Sequence, residues 1–331
     1  MFFVLSGFLI SWILLANRER AEKELSGKRT ELKNFYIRRT LRIFPIYYLL
    51  IFALLFFHDS TTAVIDKAYP YYLTYTTNFY FFSIRAWDPA LGHLWSLAVE
   101  EQFYLIWPTL MLFVSRKYLK YVIYGFIIIG VSSQLFLRGV FMIQYLTFSC
   151  FDSFGLGALL AWYLVYEPGS LEKLYKFLKI PALFGLALFV TAFVQTKWPR
   201  FPMLRTGNSL MARFVLTYII YTERTGHLKF GFILNSRVMI FIGKISYGIY
   251  LYHGVLPHYI SLFAKKFFQV DVSTLGTPAL ILINASVVLL VSWLSWKLIE
   301  KPILGLKKYF EYDKNKVRGA EPVAVNNLVK D

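Results

Sequence analysis

The residues best placed to do chemistry lie inside apolar runs, where ionisable groups are costly and point to function by default. The densest cluster is HLWSLAVEEQFYLIWP at 93–108. On a helix advancing about 100° per residue, His93, Leu97, Glu100, Tyr104 and Trp107 form one stripe, with Ser96 on its border. Glu101 sits about 80° away from the stripe, counted from His93 at that spacing. Two adjacent carboxylates at the head of an apolar helix would be expensive facing lipid. Glu101 is accounted for by the positive end of the helix dipole. Glu100 is less so, and is expected to face the interior of a bundle, near Tyr or Arg partners.

A second cluster is FYIRRTLRIFPIYY at 35–48. Arg38, Arg39 and Arg42 stand three and four residues apart, so their guanidinium groups can converge. Arginine suits bidentate phosphate recognition, and no lysine interrupts 34–48, beside Tyr47 and Tyr48. The plainer reading is a cytoplasmic anchor at a helix end. The third cluster is FIGKISYGIYLYHGVLPH at 241–258, where Ser246, Tyr250, His253 and Pro257 share a helical face. Ser246 and His253 would be about 10.5 Å apart along a helix axis, too far for a nucleophile–base pair. A polar cavity lining, or hydrogen bonds between helices, fits better. His58, His227 and His258 read as helix-end, loop or interfacial residues.

No paired His or Cys spacing for a metal is present, and the single Cys150 rules out a cysteine cluster. No phosphate-binding GxxxxGK[ST] loop occurs. Gly155 and Gly157 in DSFGLGALLAW read as small residues that let helices approach closely.

The elements that must position these groups follow from composition. The chain is 57% apolar and only 17% charged, against about 25% charged in soluble domains, and its mean hydropathy is +0.51. The bilayer is the natural solvent and first partner. The expected fold is an all-α integral membrane bundle. Runs near 2–16, 43–57, 94–114, 121–137, 148–166, 180–195, 208–222, 238–259 and 278–298 predict nine spanning helices. Segment 71–83 is short, aromatic and dotted with Thr and Asn, and is expected to be re-entrant or shallow. The first run, about 24 Å long at helical rise, falls short of a bilayer core. The tail, 311–331, is expected to be disordered.

A net charge of +17 could suggest nucleic acid. The cations fall between apolar runs rather than on one patch, as the positive-inside rule requires, and nucleic acid is not the expected partner. With loop 17–42 inside and 71–83 not crossing, 25 Lys and Arg lie in inner segments against eight in outer loops. Loop 17–42 and the C-terminus are therefore expected in the cytoplasm.

Taken together, FFVLSGFLI at 2–10, FYIRRTLRIFPIYY, HLWSLAVEEQFYLIWP, DSFGLGALLA at 152–161, IGKISYGIYLYH at 242–253 and LIEKP at 298–302 resemble acyltransferase family 3. The resemblance implies about ten spans in the plasma (inner) membrane. It also implies transfer of an acyl group, usually acetyl, from cytoplasmic acyl-CoA to a hydroxyl of a cell-envelope glycan or other acceptor. No bound cofactor is implied; acyl-CoA is a substrate. Residues 1–310 would be the transmembrane domain. That family carries a catalytic histidine on a helix upstream of FFVLSGFLI. The expectation is that this chain begins partway through its natural sequence. The missing histidine would activate the acceptor hydroxyl or relay the acyl group, with Glu100 and His93 orienting it or binding the acceptor. Arg38, Arg39 and Arg42 would bind CoA phosphates. Ser96 and Tyr104 would contact substrate, and Tyr247, Tyr250 and His253 would line the route between faces. The competing classes are a glycan or lipid transporter, for which repeated halves are not evident, and an inactive truncated homologue with a structural role.

Overall fold

Long apolar segments satisfy their backbone in lipid only as helices or closed barrels, and every regular element among the described residues is helical. The structure is a computed structural model and describes residues 2–23, 27–56, 64–137, 139–170 and 236–310, with scattered positions between 172 and 219. The helices are α1 (Phe2–Lys23), α2 (Gly27–Phe56), α3 (Val64–Leu73), α4 (Thr77–Ile84), α5 (Trp95–Phe113) and α6 (Arg116–Phe136). They continue as α7 (Phe151–Tyr166), α8 (Arg237–Tyr252), α9 (Leu256–Phe268), α10 (Thr277–Ser295) and α11 (Lys301–Gly305). A π-turn, Trp296–Glu300, joins α10 to α11, and a 3-10 turn, Leu306–Phe310, follows.

Five segments are long and apolar enough to cross a membrane: Phe2–Glu19, Gly27–Phe56, Arg116–Phe136, Thr147–Tyr166 and Thr277–Phe310. A sixth arises if α8 and α9 form one bent span. Nine were expected. Runs 180–195 and 208–222 lie, but for a few positions, outside the described residues, as do His58, His227 and the tail 311–331. The 94–114 run is a 19-residue helix, α5, but its Glu100, Glu101 and Gln102 lower its hydropathy, and it is not among the five.

One other expectation changes. The 238–259 run is not one straight helix: α8 and α9 meet at 68° across a break at 253–255. Pro257 occupies the first turn of α9, the place where its fixed φ and missing N–H are tolerated. Hydropathy is the same for a bent and a straight segment, so the run concealed the corner. The 71–83 segment resolves into the end of α3 and most of α4, helices of 10 and 8 residues. The chain reverses between them at Tyr75, whose φ is 53°. At about 15 Å and 12 Å, neither crosses a bilayer alone.

The first helix is longer than its apolar run. It reaches Lys23 because Arg18, only 3% exposed, turns inward to the end of α5. One guanidinium nitrogen donates to the carbonyls of Met111 at 3.0 Å and Val114 at 2.6 Å. A cation there satisfies helix-end carbonyls and meets the negative end of the α5 dipole. Lys28 Nζ at 2.9 Å and Arg18 Nε at 2.8 Å hold the Glu22 carboxyl below the usual carboxylate range.

Main-chain contact fixes α1 against α7. A Cβ on Gly157 would stand 2.0 Å from the Val4 carbonyl oxygen, and one on Gly7 would stand 2.3 Å from that of Phe154. Only glycine permits this approach. Gly155 plays the same part toward α6, where a Cβ would meet Ile127 Cγ1 at 2.5 Å. Around α5 an aromatic stack continues the core, with Phe103 lying 3.9 Å from Phe154 and 5.0 Å from Trp107 between ring centres. Cys150 is buried in this region.

Candidate functional site

The site begins with the turn that starts α5. Asp88 Oδ1 accepts hydrogen bonds from the amides of Ala90 at 2.8 Å and Leu91 at 2.9 Å. A 3-10 turn, Gly92–Leu94, follows, and α5 opens at Trp95. Glu100 and Glu101 therefore lie in the second turn, and the first turn holds no acid. The dipole reading of Glu101 loses its basis, because that field fades beyond the first turn. The Glu101 Oε1 is buried without a hydrogen-bond partner. His93 precedes the helix, so the expected helical stripe holds for Leu97, Glu100, Tyr104 and Trp107, all buried, but starts one turn later.

Glu100 is 3% exposed and accepts a hydrogen bond from the Ser6 hydroxyl of α1. It forms part of the wall of a cavity of about 250 Å³ between α1, α2, α5 and α8. Arg39 and Arg42 reach the same cavity from α2, and Ser246, Tyr247 and Tyr250 from α8. The Arg39 guanidinium lies over the Tyr104 ring, 3.9 Å from its centre. Tyr104 is itself fully buried next to Glu100. A carboxylate and two guanidinium groups thus share one cavity, with the Tyr104 ring behind Arg39.

At the far end of the chamber the polar atoms form a short chain. Ser96 Oγ and Tyr250 Oη lie 2.7 Å apart, and Tyr250 Oη donates to the His93 carbonyl at 2.6 Å. The His93 ring packs behind them, 4.6 Å from the His253 ring and 5.4 Å from the Tyr250 ring between centres. Its Nε2 is buried with no hydrogen-bond partner. Gly254 makes the packing possible: a Cβ there would meet His93 Nδ1 and the Ala90 carbonyl oxygen, both at 2.5 Å. Tyr247 donates to the Ile43 carbonyl at 2.9 Å, tying α8 to α2.

Of the residues singled out from sequence, Arg39, Arg42, Ser96, Glu100, Tyr247 and Tyr250 meet at the cavity wall. Tyr104 lies behind Arg39 and His93 behind Tyr250. His253 is exposed at the helix break, its Nδ1 2.7 Å from the Tyr250 carbonyl oxygen. Arg38 is not in the wall. Two participants were missed. Ser6 holds Glu100, but one serine in an apolar run gives no pattern to read. Glu300, 6% exposed, is buried at the end of a π-turn packed along α2; its signal was a lone acid at the end of a long apolar run. Among the described residues no group of three His, Cys, Asp or Glu could hold a metal ion.

A helical bundle with a carboxylate and two guanidinium groups lining one largely apolar cavity defines a membrane protein with a polar site between its helices. Residues 1–297 match the profile of acyltransferase family 3, described as an acyltransferase domain, and the chain belongs to that family of membrane acyltransferases, which transfer groups other than amino-acyl groups. Among similar proteins is the O-acetyltransferase OatA of Staphylococcus aureus strain MRSA252, 27% identical over 98% of this chain and 55% of the relative. The OatA of strain COL matches with the same identity and coverage. The chain spans about half the length of these curated relatives. No solved structure is a significant match.

Proposed function

We propose that this chain moves an acetyl group from acyl-CoA to a hydroxyl of a cell-envelope glycan or similar acceptor, across the chamber between Arg39 and Tyr250. The observation that carries this reading is the order of groups along one cavity: guanidinium groups, then the Ser6–Glu100 pair, then Ser96 and Tyr250 backed by His93. Similarity to O-acetyltransferases supports acetyl as the group and oxygen as the acceptor.

The CoA phosphates bind Arg38, Arg39 and Arg42, where planar guanidinium groups can make paired, charge-assisted hydrogen bonds. A chamber of about 250 Å³ has room for the slender acyl-pantetheine arm, while the nucleotide stays outside. The acceptor hydroxyl sits against Ser96 and Tyr250. The carboxylate of Glu100, in the same wall, takes the hydroxyl proton as the oxygen attacks the thioester carbonyl. The C–S bond breaks as the C–O bond forms, and the proton ends on the CoA thiol. Ser6 holds Glu100 in place, and the carboxylate offsets the arginine charge. The protein resides in the plasma membrane, with loop 17–42, the arginine end and the C-terminus in the cytoplasm.

The test is acetyl transfer by the purified, lipid-reconstituted protein, using labelled acetyl-CoA with cell-wall glycan or water as acceptor. Label in ester form, or accelerated release of CoA thiol, is the expected result. A folded protein that does neither, while binding glycan or lipid and carrying it between leaflets, would replace this reading with transport.

A further inference from the structure

Burying an aromatic side chain stabilises a fold, yet the loop from α4 to α5 leaves one at the surface. Trp87 is 41% exposed, in a stretch where Arg85, Ala86 and Pro89 are exposed too. Its indole is nevertheless held firmly. Gly92 lies directly against it: a Cβ at residue 92 would stand 2.4 Å from Trp87 Cε2 and 2.6 Å from Nε1. Only glycine leaves room for the ring where it stands. Phe81, fully buried, and Tyr145 flank the indole at 5.7 Å and 5.1 Å between ring centres, each tilted 38° to it. The ring is seated on three sides and open on the rest.

This loop runs straight into the hydroxyl end of the chamber. Asp88, next to Trp87, anchors it by accepting from the Ala90 and Leu91 amides. His93, next to Gly92, supplies the carbonyl that receives the Tyr250 hydroxyl. Trp95 meets Tyr145 edge-on, 4.7 Å between centres, and precedes Ser96 of the cavity wall. Trp87, Tyr145 and Trp95 therefore form an aromatic row from the surface to the residue beside that wall. The exposed His253 ring stands at the same corner, 4.6 Å from His93, and Arg85 is the exposed cation of the loop. A fixed ring with hydrogen-bonding groups about it suits a pyranose. One face of such a sugar is C–H bonds, which meet the negative face of an indole, and its rim carries hydroxyls for polar side chains. A tryptophan that only marks the membrane interface needs no glycine to seat it.

We infer that Trp87 is a binding residue for the acceptor: its indole stacks on one sugar ring of a saccharide whose reacting hydroxyl lies further along, at Ser96 and Tyr250. This rests on the reading of that end of the chamber as the acceptor end, and it narrows the acceptor to a glycan of more than one sugar residue. The seat on Gly92 fixes the ring in advance, so binding carries little ordering cost there. Trp87 is absent from the wall of the chamber and does not meet the acyl donor in it. Its loss should appear in affinity for the glycan, not for acetyl-CoA.

The experiment compares wild type, Trp87→Ala, Trp87→Leu and Trp87→Phe in the lipid-reconstituted full chain. KM and kcat are measured for acetyl-CoA and for solubilised cell-wall glycan as acceptor. Leucine keeps apolar bulk against Gly92 and Phe81 but has no ring face; phenylalanine keeps a ring. Trp87→Leu should raise the glycan KM about tenfold and leave kcat and the acetyl-CoA KM within about twofold. Trp87→Ala should resemble it, and Trp87→Phe should recover most of the affinity. A glycan KM within about twofold of wild type in Trp87→Leu would overturn the inference. So would equal losses in Leu and Phe, or a parallel rise in the acetyl-CoA KM, which would make Trp87 a prop of the loop. Wild-type protein that releases CoA thiol but esterifies no glycan would instead remove the glycan reading, and this inference with it. Should Trp87→Ala fail to fold, the Leu and Phe variants carry the same comparison.

Discussion

The guanidinium carbon of Arg39 stands 3.9 Å above the centre of the Tyr104 ring, four residues along α5 from Glu100. The ring presents its negative face to the cation, an attraction of about 2 kcal/mol or more when desolvated, and keeps the arginine from folding back onto the carboxylate. A planar guanidinium can stack on a ring and still offer its edge to an anion; a lysine ammonium cannot do both. Arg39→Lys is therefore expected to keep the charge yet lower kcat/KM for acetyl-CoA about 10- to 100-fold, equivalent to about 1.4–2.7 kcal/mol. Steady-state kinetics on detergent-solubilised protein measure it. Unchanged kinetics would mean that charge alone suffices there.

Glu100 and Glu101 should part company when each is changed to Gln. Glu100 lines the chamber and is held by Ser6, so Glu100→Gln is expected to abolish transfer at normal membrane yield. Glu101 is outside the chamber wall and its Oε1 is unpartnered. Removing an uncompensated buried charge relieves a desolvation cost. Glu101→Gln should keep activity per folded molecule within about threefold and should not lower the thermal midpoint. Wild-type specific activity in Glu100→Gln would remove that residue from the site.

Gly254 offers a test of the histidine end. A methyl group there would collide with His93 Nδ1 and the Ala90 carbonyl oxygen, forcing the ring to move or the corner between α8 and α9 to open. Gly254→Ala is expected to reduce transfer at least about tenfold, since a displacement of about 1 Å can cost a hundredfold in rate. KM for acetyl-CoA should stay near wild type. A parallel rise in that KM would place His93 at the donor end instead.

Orientation can be read by labelling. Ser115, between α5 and α6, and Arg85, after α4, are both exposed. On a Cys150→Ala background, a cysteine at 115 should resist a membrane-impermeant maleimide in intact cells, while a cysteine at 85 should react. The reverse pattern would invert the topology and put the arginine end outside.

The sequence carried the parts of the site whose signal is a charge in an apolar setting. Glu100 announced itself because its stripe also held Leu97, Tyr104 and Trp107, and all four are buried. Arg39 and Arg42 were legible from their spacing. Other parts depended on facts that no local pattern encodes. The α5 start was set by Asp88, seven residues upstream of Trp95, and this moved both carboxylates out of the first turn. Glu300 is buried at the end of a π-turn, which shifts the helical register, so regular periodicity would aim it elsewhere. Ser6 is a single hydroxyl whose partner lies 94 residues away. Arg18 counted as a loop charge by composition, yet its partners are the last carbonyls of α5.

The contact between α1 and α7 has a mechanical consequence. Gly7 and Gly157 bring two backbones together with no side chain between them, so nothing there can be trimmed, swollen or re-rotamerised. Ser6 is the residue next to that contact, and it grips Glu100. The chamber is thus referenced to a hard stop, as a machined part is measured from one flat face. Exposed positions away from the chamber, such as Trp12 and Ile13, can drift in size without shifting that reference, while a single added methyl at residue 7 or 157 moves every dimension taken from it.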